Sequence, residues 1–217
     1  MTQTIHSDFD LLNEPAKAMF DSAFDELRVF ADMLIDEGEL RGLIGTKEVP
    51  RLWSRHFVNS ACLAPFLDKG ISTVADIGTG AGFPGIVLAL IRPDISFTFI
   101  ESMERRCEWL CDVTQEIGID NVKIIHARSN DIPRSQRFDA VTSRAVARLD
   151  KLVRLSAHLV KGGGSFLALK GQRANTEVDE ARYVMKRAGL INIEIHDIAS
   201  PMDGTVTRVV SARKKRS

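Results

Sequence analysis

The segment VADIGTGAGFPGIVLALI, residues 74–91, has the residue types and spacing most suited to binding a ligand. Asp76 stands two residues before a G-x-G-x-G run, and Glu101 ends the next apolar segment roughly 20 residues after the glycines. Glycines let the backbone approach a ligand closely and adopt positive φ, and the Glu101 carboxylate has two oxygens that accept hydrogen bonds from a ribose. The pattern indicates a nucleotide-like ligand on a strand–turn–helix unit.

Two ligands fit this turn. GAGFPG, residues 80–85, matches G-x-G-x-x-G, and together with Glu101 it satisfies the dinucleotide fingerprint, so an NAD-dependent oxidoreductase is one reading. S-adenosylmethionine is favoured, because Asp76 faces a cationic amino-acid group or its bound water in that reading and would repel a pyrophosphate. A P-loop is excluded, since no G-K-[ST] follows the glycines.

The elements that position these residues alternate along the chain. Apolar periodicity and breakers predict helices over residues 15–40 (one or two), 51–67 (beginning at Pro50), 84–92, 103–118, 148–160 and 174–190. Strands are predicted over residues 72–78, 96–102, 122–127, 138–146, 165–171, 191–198 and 207–214. Alternation favours a parallel sheet with helices on both faces. The last two strands have no helix between them and should be antiparallel.

Composition bounds the class of protein. The 217 residues are 44% apolar and 27% charged, which is ordinary for one soluble globular protein. Apolar runs are too short to predict a membrane span, and the first residues lack signal-peptide features. Three cysteines do not make a disulfide framework, and Cys107 and Cys111 share one predicted helix face, so we predict no metal site and a cytoplasmic location.

Charge is unevenly distributed although its sum is zero. Residues 1–40 hold ten acidic and two basic residues, and the remainder holds 27 basic and 19 acidic residues. The main part of the chain is therefore suited to facing a polyanion.

The end of the predicted fourth strand limits the atom that could accept a methyl group. TSRAVA stands there, without an [ND]-P-P-[YFW] turn or a following aspartate, and no cysteine is placed as a nucleophile. An acceptor that is already nucleophilic, such as guanine N7, needs alignment and electrostatic tuning but no general base. Elimination therefore favours N7.

Five segments carry a resemblance to a known family: LWSRHFVNSACLAPFL, VADIGTGAGFPGIVLAL, FIESMERRCEWL, VTSRAVARLDKLV and FLALKG. They are similar, in order from about residue 20 to residue 210, to the bacterial small-subunit ribosomal RNA guanine-N7 methyltransferases, also called glucose-inhibited division protein B. The resemblance implies an α/β, Rossmann-like class I methyltransferase fold, with a seven-stranded, mostly parallel sheet, an antiparallel last strand and an N-terminal helical segment. Residues 1–70 would form that segment and residues 71–217 the donor-binding domain.

The resemblance also implies the ligands. S-adenosylmethionine is the donor, and the substrate is one guanine in the 530 loop of 16S ribosomal RNA, within the small ribosomal subunit. We expect a monomer without membrane association. A methyltransferase with a non-RNA acceptor and a non-catalytic ribosome-binding module remain alternatives.

The expected site residues follow from both arguments. Donor binding is assigned to Asp76, Gly78, Gly80, Phe83, Glu101, Ser129, Asn130 and Arg144. Asn130 stands where the family commonly has an acid, and Asp131 would substitute after a shift of one residue. Arg144 is the positioning candidate, and no catalytic acid or base is assigned. RNA contacts are assigned to Arg55, His56, Lys170 and Arg173. Spacing places Trp53, Trp109 and Tyr183 in the core.

Overall fold

The computed structural model describes residues 7–20 and 23–216, and a seven-stranded sheet forms its centre. The strands are β1 (Thr73–Ile77), β2 (Ser96–Glu101), β3 (Val122–His126), β4 (Phe138–Arg144), β5 (Val160–Lys170), β6 (Leu190–Ala199) and β7 (Val206–Lys214). Their order is β3-β2-β1-β4-β5-β7-β6. Only β7 runs antiparallel to its neighbours, which confirms the predicted fold class.

Seven α-helices surround the sheet in the described residues. They are α1 (Glu14–Ala18), α2 (Phe24–Glu37), α3 (Asn59–Ala61), α4 (Gly85–Ile91), α5 (Glu104–Ile117), α6 (Leu149–Ser156) and α7 (Ala174–Arg187). Helix α5 ends at Gly118, which adopts the left-handed conformation that favours glycine.

The segment before β1 is less regular than predicted. The helix expected to begin at Pro50 begins earlier, as a 3-10 helix over Thr46–Arg51 that contains Pro50. It passes through a π-helical segment, Trp53–Val58, into α3. Proline lacks an N–H, so it removes a hydrogen bond that a regular α-helix would need and that this short irregular helix does without. The helix expected over residues 15–40 is divided into α1 and α2, and residues 21–22 between them lie outside the described residues.

Two apolar layers form the core, one on each face of the sheet. Alternate strand residues point to opposite faces, so Val74 and Phe97 join the layer of α2, α4 and α5, whereas Ala75 and Val141 join the layer of α6 and α7. Helices α1 and α2 belong to the first layer, which they share with α4 and α5. The division at residue 70 stays a prediction.

The three aromatic residues predicted to be buried behave differently. Trp53 and Trp109 are buried, but the prediction for Tyr183 is wrong, since this side chain is 69% exposed. The buried stripe of α7 runs through Val178, Ala181 and Met185. Position 183 lies two residues from Ala181, which turns it about 200° around the helix and away from the core.

No helix in residues 7–20 and 23–216 is long and apolar enough to cross a membrane.

Candidate active site

The glycine turn follows β1 at the edge of the sheet where the parallel strands end. Gly78 has φ of 64°, and a Cβ on it would lie 2.8 Å from Cγ2 of Val146. Gly82 has φ of 115°, and its Cβ would lie 2.7 Å from Cζ of Phe30 on α2. Both positions therefore require glycine, because a side chain would be strained and would collide with a packed neighbour. The turn is closely packed on the N-terminal helices.

Asp76 lies beneath this turn and is fully buried. Its Oδ1 accepts a hydrogen bond of 2.8 Å from the Thr142 hydroxyl on β4, whereas Oδ2 has no hydrogen-bond partner among the described residues. Burial raises the pKa of Asp76 to about 7, although the bond from Thr142 opposes the rise. A buried carboxylate with an unused oxygen at the end of a strand fits a site completed by a cationic ligand group.

Glu101 ends β2 and is 2% exposed. Its Oε2 accepts a hydrogen bond of 3.0 Å from the Gly80 amide, and its Oε1 accepts bonds of 2.7 and 3.0 Å from the amides of Ser102 and Met103. Glu101 thus joins the glycine turn to the end of β2. The sequence assigns the glycines and Glu101 to one ligand site by their spacing, and in the structure Glu101 is hydrogen-bonded to the turn directly.

Phe83 packs as part of the wall beside the turn. The ring is 6% exposed, and its centroid lies 5.2 Å from those of Phe30 and Phe57 and 5.1 Å from that of His56. Cζ of Arg144 lies 5.5 Å from the ring centroid. Phe83 therefore links the turn to the N-terminal segment and to the end of β4.

The residues assigned to the adenine lie in a short 3-10 helix, Ser129–Asp131, after β3. Ser129 is buried, and Asn130 and Asp131 are both exposed. Because β3 pairs in parallel with β2, with His126 opposite Glu101, this helix lies at the same edge of the sheet as Glu101. The choice between Asn130 and Asp131 stays open.

Arg144 ends β4 and is held by a helix from the N-terminal segment. Its Nη2 lies 2.7 Å from Nδ1 of His56, and its Nη1 donates to the His56 carbonyl at 3.3 Å. On the other side of the imidazole, Nε2 lies 2.9 Å from Oε2 of Glu48. Glu48, His56 and Arg144 form one hydrogen-bonded row.

This row determines the state of the imidazole. A guanidinium only donates hydrogen bonds, so Nδ1 of His56 must be an acceptor and Nε2 must carry the proton given to Glu48. Burial and the neighbouring Arg144 charge lower the pKa of His56 to about 4. Burial and Arg55 lower the pKa of Arg144 to about 10, which leaves it charged at neutral pH. Neutral His56 thus orients a cationic Arg144.

Sequence reasoning missed Glu48. It lies eight residues before His56 across an irregular helix, a spacing that no regular periodicity would connect. The only sequence feature that marks Glu48 is its place in a charged segment just before Arg55 and His56.

A cleft of about 520 Å³ opens beside Arg144, at the ends of β4 and β5. Its polar lining includes Arg55, Arg148, Lys170 and Glu177. Lys170 is not free: its Nζ lies 2.9 Å from Oε2 of Glu177 and donates to the Ala147 carbonyl at 2.6 Å. Arg55, half exposed, pairs with Glu48 at 2.9 Å.

Arg173 precedes α7 and is exposed outside this cleft. In the described residues no group of His, Cys, Asp or Glu side chains is arranged to hold a metal ion.

The sheet and the site define a methyltransferase of the Rossmann-like class. The fold is similar to a SAM-dependent O-methyltransferase from Thermotoga maritima, with a TM-score of 0.56 and 18% identity over 73% of this chain and 65% of that one. It is also similar to M. jannaschii TYW2 in complex with AdoMet, with a TM-score of 0.57 and 20% identity over 76% and 78% of the two chains.

The chain belongs to the rRNA small subunit methyltransferase G family, whose sequence model matches residues 23–205. A ribosomal RNA small subunit methyltransferase G from Clavibacter sepedonicus is 42% identical over 96% of this chain and 98% of its own length. The family resemblance is confirmed. The dinucleotide reading loses support, because β7 inserted antiparallel between β5 and β6 departs from the dinucleotide-binding strand order.

Proposed function

We propose that this protein transfers a methyl group from S-adenosylmethionine to N7 of a guanine in the 530 loop of 16S ribosomal RNA, guanine 527 in the usual rRNA numbering. Membership of an rRNA small subunit methyltransferase family supports the substrate class. The observation that carries the choice of N7 is the cleft beside Arg144, whose single lining carboxylate, Glu177, is already bound to Lys170.

The glycine turn and its neighbours have the chemistry to hold the donor. S-adenosylmethionine supplies an activated methyl group on a sulfonium. Oδ2 of Asp76, which has no partner among the described residues, offers a negative charge for a cationic amino-acid group or its bound water. The Glu101 carboxylate accepts three amide hydrogen bonds and keeps about one further acceptor site for a ribose hydroxyl. Ser129 and Asn130 follow β3 at the same edge and are assigned to the adenine.

The acceptor cleft favours an atom that loses no proton. Glu177 is engaged by the Lys170 ammonium and by the Leu149 amide at 2.8 Å, so it is not free to act as a base. His56 already uses Nδ1 to accept from Arg144 and its Nε2 proton to bind Glu48. Guanine N7 has an in-plane lone pair, and its methylation requires alignment of acceptor and donor and not general base catalysis.

Arg144 is the positioning residue in this proposal. Two of its nitrogens are fixed by His56, and the guanidinium lies on the Phe83 ring at the rim of the cleft. Its remaining N–H groups can bind a phosphate or a base edge of the RNA. Arg55 and Arg148 line the same cleft, where Arg55 is paired with Glu48 and Arg148 with Glu180.

Labelled S-adenosylmethionine and small ribosomal subunits from a strain lacking this gene test the proposal. After digestion to nucleosides, we expect label in 7-methylguanosine with the wild-type protein and none with Gly78→Asp, which places a charged side chain 2.8 Å or less from Val146. Gly70→Asp is the matched control, because a Cβ on Gly70 meets nothing within 4 Å.

Other outcomes overturn specific parts of the proposal. Label in a different nucleoside would contradict N7, and label only in a protein or small molecule would contradict the RNA acceptor. Absence of label together with intact subunit binding would indicate a non-catalytic ribosome-binding module. Thermal protection by NAD and not by S-adenosylmethionine would restore the oxidoreductase alternative.

A further inference from the structure

A second cleft, of about 530 Å³, lies away from the candidate active site and is lined by cations. It is formed by the last turns of α6 and α7, the loop before β4 and the end of β7. Its lining includes the cations Arg134, Arg137, Arg154, Arg187 and Lys214 together with His158, and no carboxylate of the described residues lines it. None of these residues appears in the sequence-derived site.

The permanent charges of this cleft are not neutralised by acids. In the described ranges 7–20 and 23–216, none of the four arginines or Lys214 forms a salt bridge within 4.0 Å. Burial, Arg137 and Arg134 lower the pKa of Lys214, in keeping with a crowd of like charges. Like charges in one cleft repel each other and attract an anionic partner.

Helix ends account for part of this charge. Lys214 donates to the carbonyls of Ala157 and Ala188, which are the last residues of the α6 and α7 turns. The ends of two helices carry roughly half a negative charge each, about one in total. Five permanent cations against that charge leave a surplus of about four, so helix capping does not explain the cluster.

An exposed aromatic side chain adds a second kind of contact. Tyr183 lines the cleft and is 69% exposed, and Cζ of Arg187 lies 6.0 Å from its ring centroid. A ring beside arginines is a platform on which a base can stack. A lipid surface would instead call for several exposed aliphatic side chains, and Tyr183 is the only large exposed apolar residue that lines this cleft in the described chain.

The two clefts lie at opposite ends of the same helix pair. Arg148 and Glu177 lie at the beginning of α6 and α7 at the active-site cleft, whereas Arg154 and Arg187 lie near their ends. Strand β4, with seven residues, runs between the two edges and spans about 20 Å. Lys151 and Arg154 are spaced three residues apart along α6 and provide positive charge between the clefts, whereas Arg148, just before α6, is paired with Glu180.

We infer that the cleft at the ends of α6 and α7 is a second RNA-docking site, which binds backbone phosphates and an unstacked base of the ribosomal substrate about 20 Å from the methylated guanine. This inference rests on the proposed function for its substrate. It assigns the site to positioning the RNA and not to chemistry. It also gives a role to the excess of basic residues after position 40.

The test measures binding of the full-length protein to unmethylated small subunits over a range of salt concentrations. Arg154→Gln/Arg187→Gln removes two cations from the cleft, and Lys69→Gln/Lys123→Gln removes two exposed cations from elsewhere. The slope of log K against log salt is negative, and each lost phosphate contact reduces its magnitude by about 0.7 to 0.9. We therefore expect the magnitude to fall by about 1.4 to 1.8 in the cleft variant and to stay unchanged in the control variant. KM for subunits should rise while kcat and donor affinity stay unchanged.

Tyr183→Ala provides an independent measurement. Loss of one stacked base weakens binding about 5- to 160-fold, and stacking releases no counterions, so the salt slope should stay at the wild-type value. Tyr183→Phe keeps the ring and should bind as the wild type does. The arginine variant therefore changes the salt dependence of binding, whereas Tyr183→Ala changes the affinity alone.

Several results would overturn the inference. Equal slope changes in the two double variants would indicate a general charge effect. The cleft variant could instead lose binding of inorganic phosphate while its binding of subunits is unchanged, which would assign the cleft to a small anion. Loss of binding to vesicles of anionic lipid, again with subunit binding unchanged, would assign it to a membrane. Failure to find 7-methylguanosine contradicts the proposed function alone, because the binding slopes are measured without methyl transfer.

Discussion

Replacing Asp76 by asparagine should stabilise the protein at alkaline pH and weaken donor binding. Asp76 is fully buried, its Oδ2 has no hydrogen-bond partner in the described residues, and burial raises its pKa to about 7. The ordinary aspartate pKa is 3.8. The folded protein therefore keeps the proton over a range in which the unfolded chain has lost it.

The sign of the pH dependence follows from this raised pKa. The stability that protonated Asp76 confers is fully present below about pH 4 and is lost as the pH rises to about 7. At 1.36 kcal/mol for each tenfold change in proton affinity, the loss is on the order of 4 kcal/mol above pH 7. Asparagine does not ionise and avoids this loss. Its amide adds an unpaired donor that costs about 1–3 kcal/mol.

Denaturant unfolding at pH 4.5, near the acidic end of this range, and at pH 8.5, beyond its alkaline end, measures both effects. We expect Asp76→Asn to be less stable than wild type at the acidic pH and about 1–3 kcal/mol more stable at the alkaline pH. Calorimetric titration should show S-adenosylmethionine binding about 10- to 100-fold weaker, because a charge-assisted contact is lost.

Asp139→Asn is the matched control with the opposite sign. Burial raises the pKa of Asp139, but hydrogen bonds from Lys161, Thr73 and Ser72 outweigh it and hold the pKa well below its usual range. Stability from a lowered pKa is present at neutral pH and is lost in acid, so this variant should be destabilised at pH 8.5. A destabilised Asp76→Asn at both pH values, with unchanged donor affinity, would refute the reasoning.

The remaining predictions concern the row that ends at Arg144. Arg144→Ala should lower kcat about 100-fold with little change in Tm, and wild-type turnover would remove it from the site. Because the pKa of His56 is lowered to about 4, an NMR titration of this imidazole should show no transition near pH 6.5, and a transition there would contradict its assignment as neutral. Glu48→Gln should reduce kcat/KM and be non-additive with Arg144→Ala in a double-mutant cycle, since both act through His56.

Much of the donor side could be predicted from the sequence because its determinants are local. Asp76, Gly78 and Gly80 belong to one strand and its turn, and Glu101 follows at the end of the adjacent strand. Parallel strands bring their carboxyl ends to the same edge, so chain order predicted that the glycine turn and Glu101 share one site, whereas the hydrogen bond between Gly80 and Glu101 is seen only in the structure.

The acceptor side depends on contacts that chain order does not encode. Lys170 has the sequence position of a phosphate contact, yet a turn brings Glu177 back to bind it. Glu48 acts across a helix that mixes 3-10 and π geometry, so helical periodicity could not connect it to His56. Tyr183 is exposed because it lies two residues from Ala181 and therefore on the other side of α7 from the buried stripe, which an aromatic residue type alone does not reveal.

Phe83 packs the glycine turn tightly against the N-terminal helices, so the turn and these helices should unfold together. Phe83 and Gly82 lie against Phe30, and the Trp109 indole donates to the Ala81 carbonyl at 2.9 Å while Arg41 lies on its ring. Opening α2 would remove one wall of the turn, so the two should melt in one transition and not two. Because donor binding stabilises the folded turn, it also stabilises α2, which packs on the turn. The amide protons of α2 should therefore exchange more slowly when the donor is bound. Sequence change in this acidic helix is therefore constrained by donor binding through the turn that the helix supports.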